Sequence, residues 1–280
     1  QLGVGGASLE TCGSYSCSVS PVQVCGIGET TPCDSTSDTL GGVKEIAANY
    51  YHAVAVLESG DIVAWGRENY GKLGNGYSSS SNISSPVYVC DSGATPPCDA
   101  SSDNIFSDVS KVAVGMYNTY AVKEDGSVWA WGMASMSRLG TGQTSTNALT
   151  PQPVCAVGQT YPCTSYLTDV VELAASTYHV IARKSDGTLV AWGSNIGNLG
   201  DGTVIASSVP VVVSGENNVD SLNQVTNIAA GEWQGYAVTS GSGEAWSWGR
   251  NTYGELGLGH TDRGWEQYTP MEVVIPDDIE

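Results

Sequence analysis

The chain is 280 residues long and only 14% of it is charged, but 29 acids stand against 10 bases and the net charge is −19. That balance argues against nucleic acid or anionic lipid as a partner, because phosphate binding needs clustered Lys and Arg. No run of about 18 apolar residues exists to insert into a membrane, and 35 Gly with 8 Trp, 14 Tyr and a single Phe make a composition of many strands and tight turns.

In chain order, the first segment carries QLGVGG (residues 1–6), Cys12 and Cys17, then SPVQVC (20–25) and Cys33. It makes sense only beside four later segments. These are IAANYYHAVAVLESGDIVAWGRENYGKLGNG (46–76), VAVGMYNTYAVKEDGSVWAWGMASMSRLGTG (112–142), LAASTYHVIARKSDGTLVAWGSNIGNLGDG (173–202) and IAAGEWQGYAVTSGSGEAWSWGRNTYGELGLG (228–259). Their tryptophans Trp65, Trp131, Trp192 and Trp248 lie 66, 61 and 56 residues apart, so the chain is an internal repeat.

Within each copy the same strands are predicted. Runs such as AVAVL and DIVAW are apolar on both faces, as strands covered on both sides are. The corners ESGD, EDGS, SDGT and SGSG predict two-residue hairpin turns with positive φ. A Gly-rich loop ending in Leu-Gly-Xaa-Gly follows, and then a fourth strand led by Pro86, Pro153, Pro210 or Pro270. Proline at the start of an edge strand is where a missing N–H does least harm. Ser135 and Ser137 replace Asn69 and Gly71, which predicts a remodelled loop in the second copy. Four strands per repeat define an all-β fold, a β-propeller of four-stranded blades. The repeat cores with their Pro-led strands span 43–89, 109–154, 170–213 and 225–274, and residues 1–24 match only the last part of a repeat.

The pattern of IAAG, HAVAV, DG, VAWG, LGxG and PV resembles the repeat of the regulator of chromosome condensation family over nearly the whole chain. The resemblance implies a seven-bladed ring, of which residues 1–280 with four full repeats and one partial repeat would be a segment. The family's nuclear, chromatin-associated role is not carried over, because the acidity and the cysteines contradict it.

The cysteines are phased with the repeat. Cys25 and Cys33, Cys90 and Cys98, and Cys155 and Cys163 each enclose seven residues just after the Pro-led strand, and Cys12 and Cys17 form a shorter pair. Local even pairs read as disulfides. A zinc site wants closer pairs converging on one ion, which loops on different blades do not supply. Disulfides imply an oxidising compartment, hence an extracellular or cell-surface protein. Asn82, in NIS, is a glycosylation candidate.

No cofactor, metal or catalytic motif is recognisable. His52 and His179 share a slot with Asn118 and Gln234, which reads as a structural hydrogen-bonding position, and His260 lies in a variable loop. The residue before that slot is always aromatic: Tyr51, Tyr117, Tyr178 and Trp233, with Tyr50, Met116 and Glu232 beside them. Equivalent loops of a propeller share one face, so these side chains are either packing between blades or a contact platform. The function expected is a non-enzymatic, secreted or cell-surface module for adhesion, assembly or capture of a protein or surface component. The alternatives are a secreted enzyme inhibitor and a fibre subunit that self-assembles through open blade edges.

Overall fold

The computed structural model describes residues 2–5, 10–12, 15–29, 33, 39–101, 103–241, 243–261 and 267–274. A short hairpin of β1 (Glu10–Cys12) and β2 (Tyr15–Cys17) comes first. Four antiparallel sheets follow, each of four strands in sequence order. The first holds β3 (Val43–Asn49), β4 (His52–Leu57), β5 (Ile62–Arg67) and β6 (Asn82–Tyr88). The second holds β7 (Val109–Val114), β8 (Asn118–Lys123), β9 (Val128–Gly132) and β10 (Ala148–Pro153). The third holds β11 (Val170–Ala175), β12 (His179–Lys184), β13 (Leu189–Gly193) and β14 (Ser207–Val212). The fourth holds β15 (Val225–Ala230), β16 (Gln234–Thr239), β17 (Ala245–Gly249) and β18 (Gln267–Glu272). The first strands β3, β7, β11 and β15 neighbour one another in turn, so the sheets stand as propeller blades.

The doubly apolar second and third strands fill the core, with β4 and β5 buried along all but their last residues. Trp65, Trp131, Trp192 and Trp248 are almost wholly buried. Three of them donate their indole N–H to the preceding blade: Trp131 to the Lys72 carbonyl at 3.1 Å, Trp192 to that of Arg138 at 3.0 Å and Trp248 to that of Asn198 at 3.0 Å. Each blade is also tied to the hairpin before it, Val109 N–H donating to the Gly60 carbonyl, Val170 to Gly126 and Val225 to Gly187.

Three local expectations are corrected. The first three hairpins are three-residue loops: in the first, Leu57 N–H donates to the Asp61 carbonyl, Gly60 N–H donates back to Leu57, and of the loop residues only Gly60 has positive φ, while the fourth loop is one residue longer, with Thr239 N–H donating to the Glu244 carbonyl. The three-residue form is a type I turn closed by a glycine bulge, not a two-residue primed turn. The prolines do not lead their strands. Pro86, Pro151, Pro210 and Pro270 sit late in β6, β10, β14 and β18, where the register with the third strand shifts. Pro151, not Pro153, is the second blade's equivalent; an edge-strand irregularity tolerates a residue without N–H. The loop with Ser135 and Ser137 is not remodelled. Ser135–Ser137 forms the same single 3-10 turn as Asn69–Gly71, and Ser137 takes a left-handed φ of 62° in place of the glycine's 79°.

The N-terminal segment covers the first blade. Residues 21–24 form no strand, and Cys25 makes an isolated bridge with Thr39. Gly5 N–H donates to the Ser84 carbonyl of β6, as Gly76 does to Leu149, Gly142 to Ser208 and Gly202 to Tyr268. Among the described residues three disulfides are present, Cys25–Cys33, Cys90–Cys98 and Cys155–Cys163, with Cα atoms 5.4, 5.3 and 5.7 Å apart. The expected Cys12–Cys17 bridge involves a side chain outside the described residues. After the third blade Ser214 takes the first cysteine's place, bridges to Ser221 and hydrogen-bonds Asn218 at 2.8 Å, so that connection needs no cysteine. Peptide mapping without reduction should recover all three pairs as local crosslinks, and reduction should cost about 2–3 kcal/mol per loop at most. Free thiols in the native protein at these positions would refute both the pairing and the oxidising-compartment argument.

Candidate functional site

The turns between first and second strands come together at one end of the blades. Each is tight: Gly115 N–H donates to Asn118, Ser176 to His179 and Gly231 to Gln234. The third strand then returns beneath, with Arg67, Met133, Ser194 and Arg250 N–H groups donating to the carbonyls of Tyr51, Tyr117, Tyr178 and Trp233. The glycine of each Trp-Gly pair makes this possible. A Cβ on Gly66, Gly132, Gly193 or Gly249 would fall 2.2–2.5 Å from those carbonyl oxygens, and all four have φ between 100° and 120°. Only glycine meets both demands. The backbone of every aromatic position is therefore held by its own blade.

Tyr51, Tyr117, Tyr178 and Trp233 are all half-buried, with Tyr50 70% exposed, Glu232 exposed and Met116 half-buried beside them. The rings contact across blades. Tyr51 and Tyr117 lie 6.3 Å apart between centroids, and Tyr178 stacks on Trp233 at 3.8 Å with 17° between planes. The rings thus pack on one another across blades and stay partly open to solvent.

Cations alternate with these rings, which the sequence reading missed. Lys72 Nζ lies 5.0 Å from the Tyr51 centroid and 5.7 Å from that of Tyr117. Arg138 Cζ lies 5.6 Å from both Tyr117 and Tyr178, and Arg67 Cζ 5.5 Å from Tyr51. Such contacts favour a desolvated cation over an aromatic face. Arg138 is further fixed by Nε donating to the Thr177 carbonyl at 2.9 Å. Lys72 is wholly buried and its ammonium has no hydrogen-bond partner. Burial first, and then the nearby Arg67 charge, pull its pKa down to about 8. Burial likewise lowers that of Arg138.

Lys72, Arg138, Asn198 and Glu255 are one repeat slot, the residue before Leu-Gly. Where the slot is Asn198 no cation separates the rings, and Tyr178 and Trp233 stack directly. A second column was also missed: Tyr70, Met136, Ile196 and Tyr253, of which Met136 is 55% and Tyr253 80% exposed. Tyr70 packs edge-on against Tyr117 at 5.7 Å. The available signal was a bulky residue three positions before the leucine of every Leu-Gly.

The shared His/Asn/Gln slot is structural. His52 Nε2 lies 2.8 Å from Thr119 Oγ1 on the next blade, and His179 Nδ1 lies 2.8 Å from Ser176 Oγ. Asn118 donates to the Met133 carbonyl at 2.7 Å and Gln234 to that of Arg250 at 3.3 Å. Burial lowers the His52 pKa to about 3, helped by Lys72, and that of His179 to about 4, so both imidazoles are neutral near pH 7. His260 is exposed. Among the described residues no group of three or more His, Cys, Asp or Glu is placed to hold a metal ion.

Blades with these strands, Trp-Gly anchors and Leu-Gly loops define an RCC1-type β-propeller. The chain belongs to the regulator of chromosome condensation (RCC1) repeat family, whose models match residues 43–72, 125–183, 170–197 and 242–279. It is 27% identical over 237 residues to the Ultraviolet-B receptor UVR8 of Arabidopsis thaliana, covering 84% of this chain and 47% of that protein. It is 30% identical over 210 residues to the human E3 ubiquitin-protein ligase HERC2, covering 75% of this chain and 4% of the ligase. Among solved structures, human WBSCR16 aligns with a TM-score of 0.66 at 24% identity, over 88% of this chain and 56% of that one. Prp20p of Saccharomyces cerevisiae aligns with a TM-score of 0.66 at 18% identity, over 89% and 54%. The chain thus spans about half the length of these relatives, HERC2 apart, and the structural likenesses establish the fold alone.

Proposed function

We propose that this chain is a non-enzymatic protein-binding propeller module of an oxidising compartment, extracellular or at a cell surface, and that it takes its partner on the face built by Tyr51, Tyr117, Tyr178 and Trp233. The observation that carries this reading is the row of rings and cations, Arg67, Tyr51, Lys72, Tyr117, Arg138 and Tyr178, continued by Trp233. Tyr, Trp and Arg dominate the energy of protein interfaces. The three ion pairs found among the described residues use Lys111, Lys123 and Arg183, so the cations of this face are held by rings and carbonyls instead of carboxylates. In a chain of net charge −19 that leaves positive potential on the first two blades, suited to an acidic partner surface. Glu232 and Glu255 make the fourth blade's side negative and orient such a partner. Prp20p binds Gsp1p and histones, and yeast RCC1 (Prp20) carries Kap60 in a second structure, so propellers of this fold take protein partners. The compartment rests on the three disulfides. Asn82, exposed at the start of β6, is an accessible acceptor for a glycan there.

The test is affinity capture from the protein's own extracellular milieu, followed by titration of the captured partner. Trp233→Ala should weaken binding by about 2 kcal/mol, roughly 30-fold. Trp233→Phe should retain most of it, and Glu58→Ala at a hairpin tip on the opposite end should change nothing. Equal affinity of the wild type and a folded Trp233→Ala protein removes the face from the function.

A further inference from the structure

We propose that the cavity between the outermost strand of the second blade and its disulfide loop is a binding site for a neutral saccharide. The cavity shares no residue with the face proposed above for a protein partner and is independent of it.

Its volume is about 350 Å³, within the range of small-ligand sites. It lies against β10, the Leu-Gly loop before that strand and the Cys155–Cys163 loop after it. The walls are pinned to one another. The disulfide closes one loop, Cys155 N–H donates to the Gly140 carbonyl, and Leu167 N–H donates to that of Val154. Gly142 lets the two loops touch, since its φ is 77° and a Cβ there would fall 2.8 Å from Tyr161 Cβ. A site held in this way needs little ordering when a ligand enters.

The half-buried amides of the site are each fixed at one end. Asn147 Oδ1 accepts from Ala134 N–H at 3.1 Å, and Gln143 Oε1 accepts from Thr144 N–H at 3.2 Å. Gln152 is held the other way round, its Nε2 donating to the Pro151 carbonyl at 2.9 Å. The opposite ends of these amides have no partner among the described residues, and neither have the hydroxyls of Thr146, Tyr161 and Tyr166. Asn147 and Gln143 therefore keep NH₂ groups to donate, Gln152 keeps an acceptor, and the hydroxyls can take either role. Tyr161 and Tyr166 are 60% and 48% exposed, so their rings offer open aromatic faces.

None of the lining side chains is charged, so a ligand with a net charge would leave water without meeting a counter-charge. A pyranose ring matches what is there. The C–H groups on its faces pack on tyrosine rings, and the hydroxyls around its rim both donate and accept. A peptide strand fits less well, because β10 carries Pro151 and Pro153, which have no N–H to offer an added strand.

These groups belong to the second blade and not to the repeat. The Gln152 position, next after the fourth-strand proline, is Val87, Val211 and Met271 in the other blades. Tyr161 is replaced by Pro96 in the first cysteine loop, and the connection after the third blade has no cysteine loop. Polar groups placed in one copy of a constant frame mark a site carried by the fold, not a demand of blade packing.

The test is a binding screen of the 280-residue chain on immobilised neutral glycans ending in glucose, galactose, mannose, fucose, N-acetylglucosamine or N-acetylgalactosamine. Sialylated and sulfated glycans stand beside them, and calorimetric titration with the free sugar follows. The wild type should bind a neutral glycan and the same sugar free in solution. Gln152→Val, which installs the residue of the first and third blades, and Tyr161→Ala should each weaken binding at least about tenfold. The proposal is overturned if no neutral glycan binds, or if binding needs a sialic acid or sulfate group. It is equally overturned if either variant, shown to be folded by circular dichroism, binds as the wild type does.

Discussion

Trp192→Ala is expected to lower stability by about 3–5 kcal/mol, the range for deleting a large buried aromatic side chain. The indole is 0% exposed, packs edge-on against Tyr120, fills the space that a Gly140 side chain would take and, like the Tyr120 hydroxyl, donates to the Arg138 carbonyl. Alanine would therefore leave a cavity between two blades and remove one of the two donors to that carbonyl. Trp192→Phe keeps much of the buried area and should cost less, with about 1 kcal/mol of the loss coming from the hydrogen bond. The damage should also have a characteristic form. Repeats touch only their neighbours, so stability is a sum of blade terms and interface terms. Weakening the interface between the second and third blades should split one unfolding transition into two. Urea unfolding followed by circular dichroism, with hydrogen exchange read per blade, measures both effects. A loss below about 1 kcal/mol with a single sharp transition would mean that these tryptophans do not couple the blades.

The blades were legible because each element is written four times. A strand read once, such as AVAVL, is ambiguous with a short buried helix, but its recurrence ahead of Trp-Gly in every copy, across a glycine-bearing corner, removes the ambiguity. The cysteine pairs were legible for the same reason, as their phase matches the repeat. Turn type was not, because ESGD shows that a glycine is present and not which loop position it occupies; only the Leu57 and Gly60 hydrogen bonds settle that. The proline register failed where two prolines compete, and Pro151 and Pro153 differ only in which one faces the irregularity in β10. The aromatic column Tyr51, Tyr117, Tyr178 and Trp233 could be read off, but its cations could not. Lys72 and Arg138 come from a different loop of the repeat and reach the aromatic ring of the following blade, so the contacts exist only once blades are side by side. The slot Lys72, Arg138, Asn198 and Glu255 was visible as variation within a constant Leu-Gly frame, yet its chemistry depends on which ring lies opposite.

The two buried histidines make stability fall with acidification, and the effect should be large between pH 7 and 5. In the unfolded chain each imidazole has a pKa near 6.5, whereas in the folded protein burial lowers His52 to about 3 and His179 to about 4. Below pH 6.5 the unfolded chain therefore binds protons that the folded one does not. The contribution is complete above the unfolded value and is lost as pH falls toward the folded values, with each histidine giving a slope of about 1.4 kcal/mol per pH unit inside that window. Together they should remove about 3–4 kcal/mol between pH 7 and 5. The carboxyls of Asp125 and Asp186 are held low by hydrogen bonds from Ser127 and Thr188. Their contribution has the same sign, but it is lost only below the ordinary carboxylate range and does not enter this window. Relief of the repulsion behind a net charge of −19 works the other way, so absolute stability is a poor readout and a difference between variants is needed. His52→Asn with His179→Asn supplies it, since Asn118 already occupies the same slot and bonds a backbone carbonyl. The double variant should lose stability at pH 7.5 through its poorer packing, while its decline from pH 7 to 5 should be shallower than the wild type's by most of the stated amount. Parallel urea midpoints at pH 7, 6 and 5 decide the matter, and equal slopes for the two proteins would show that these imidazoles are not held neutral in the fold.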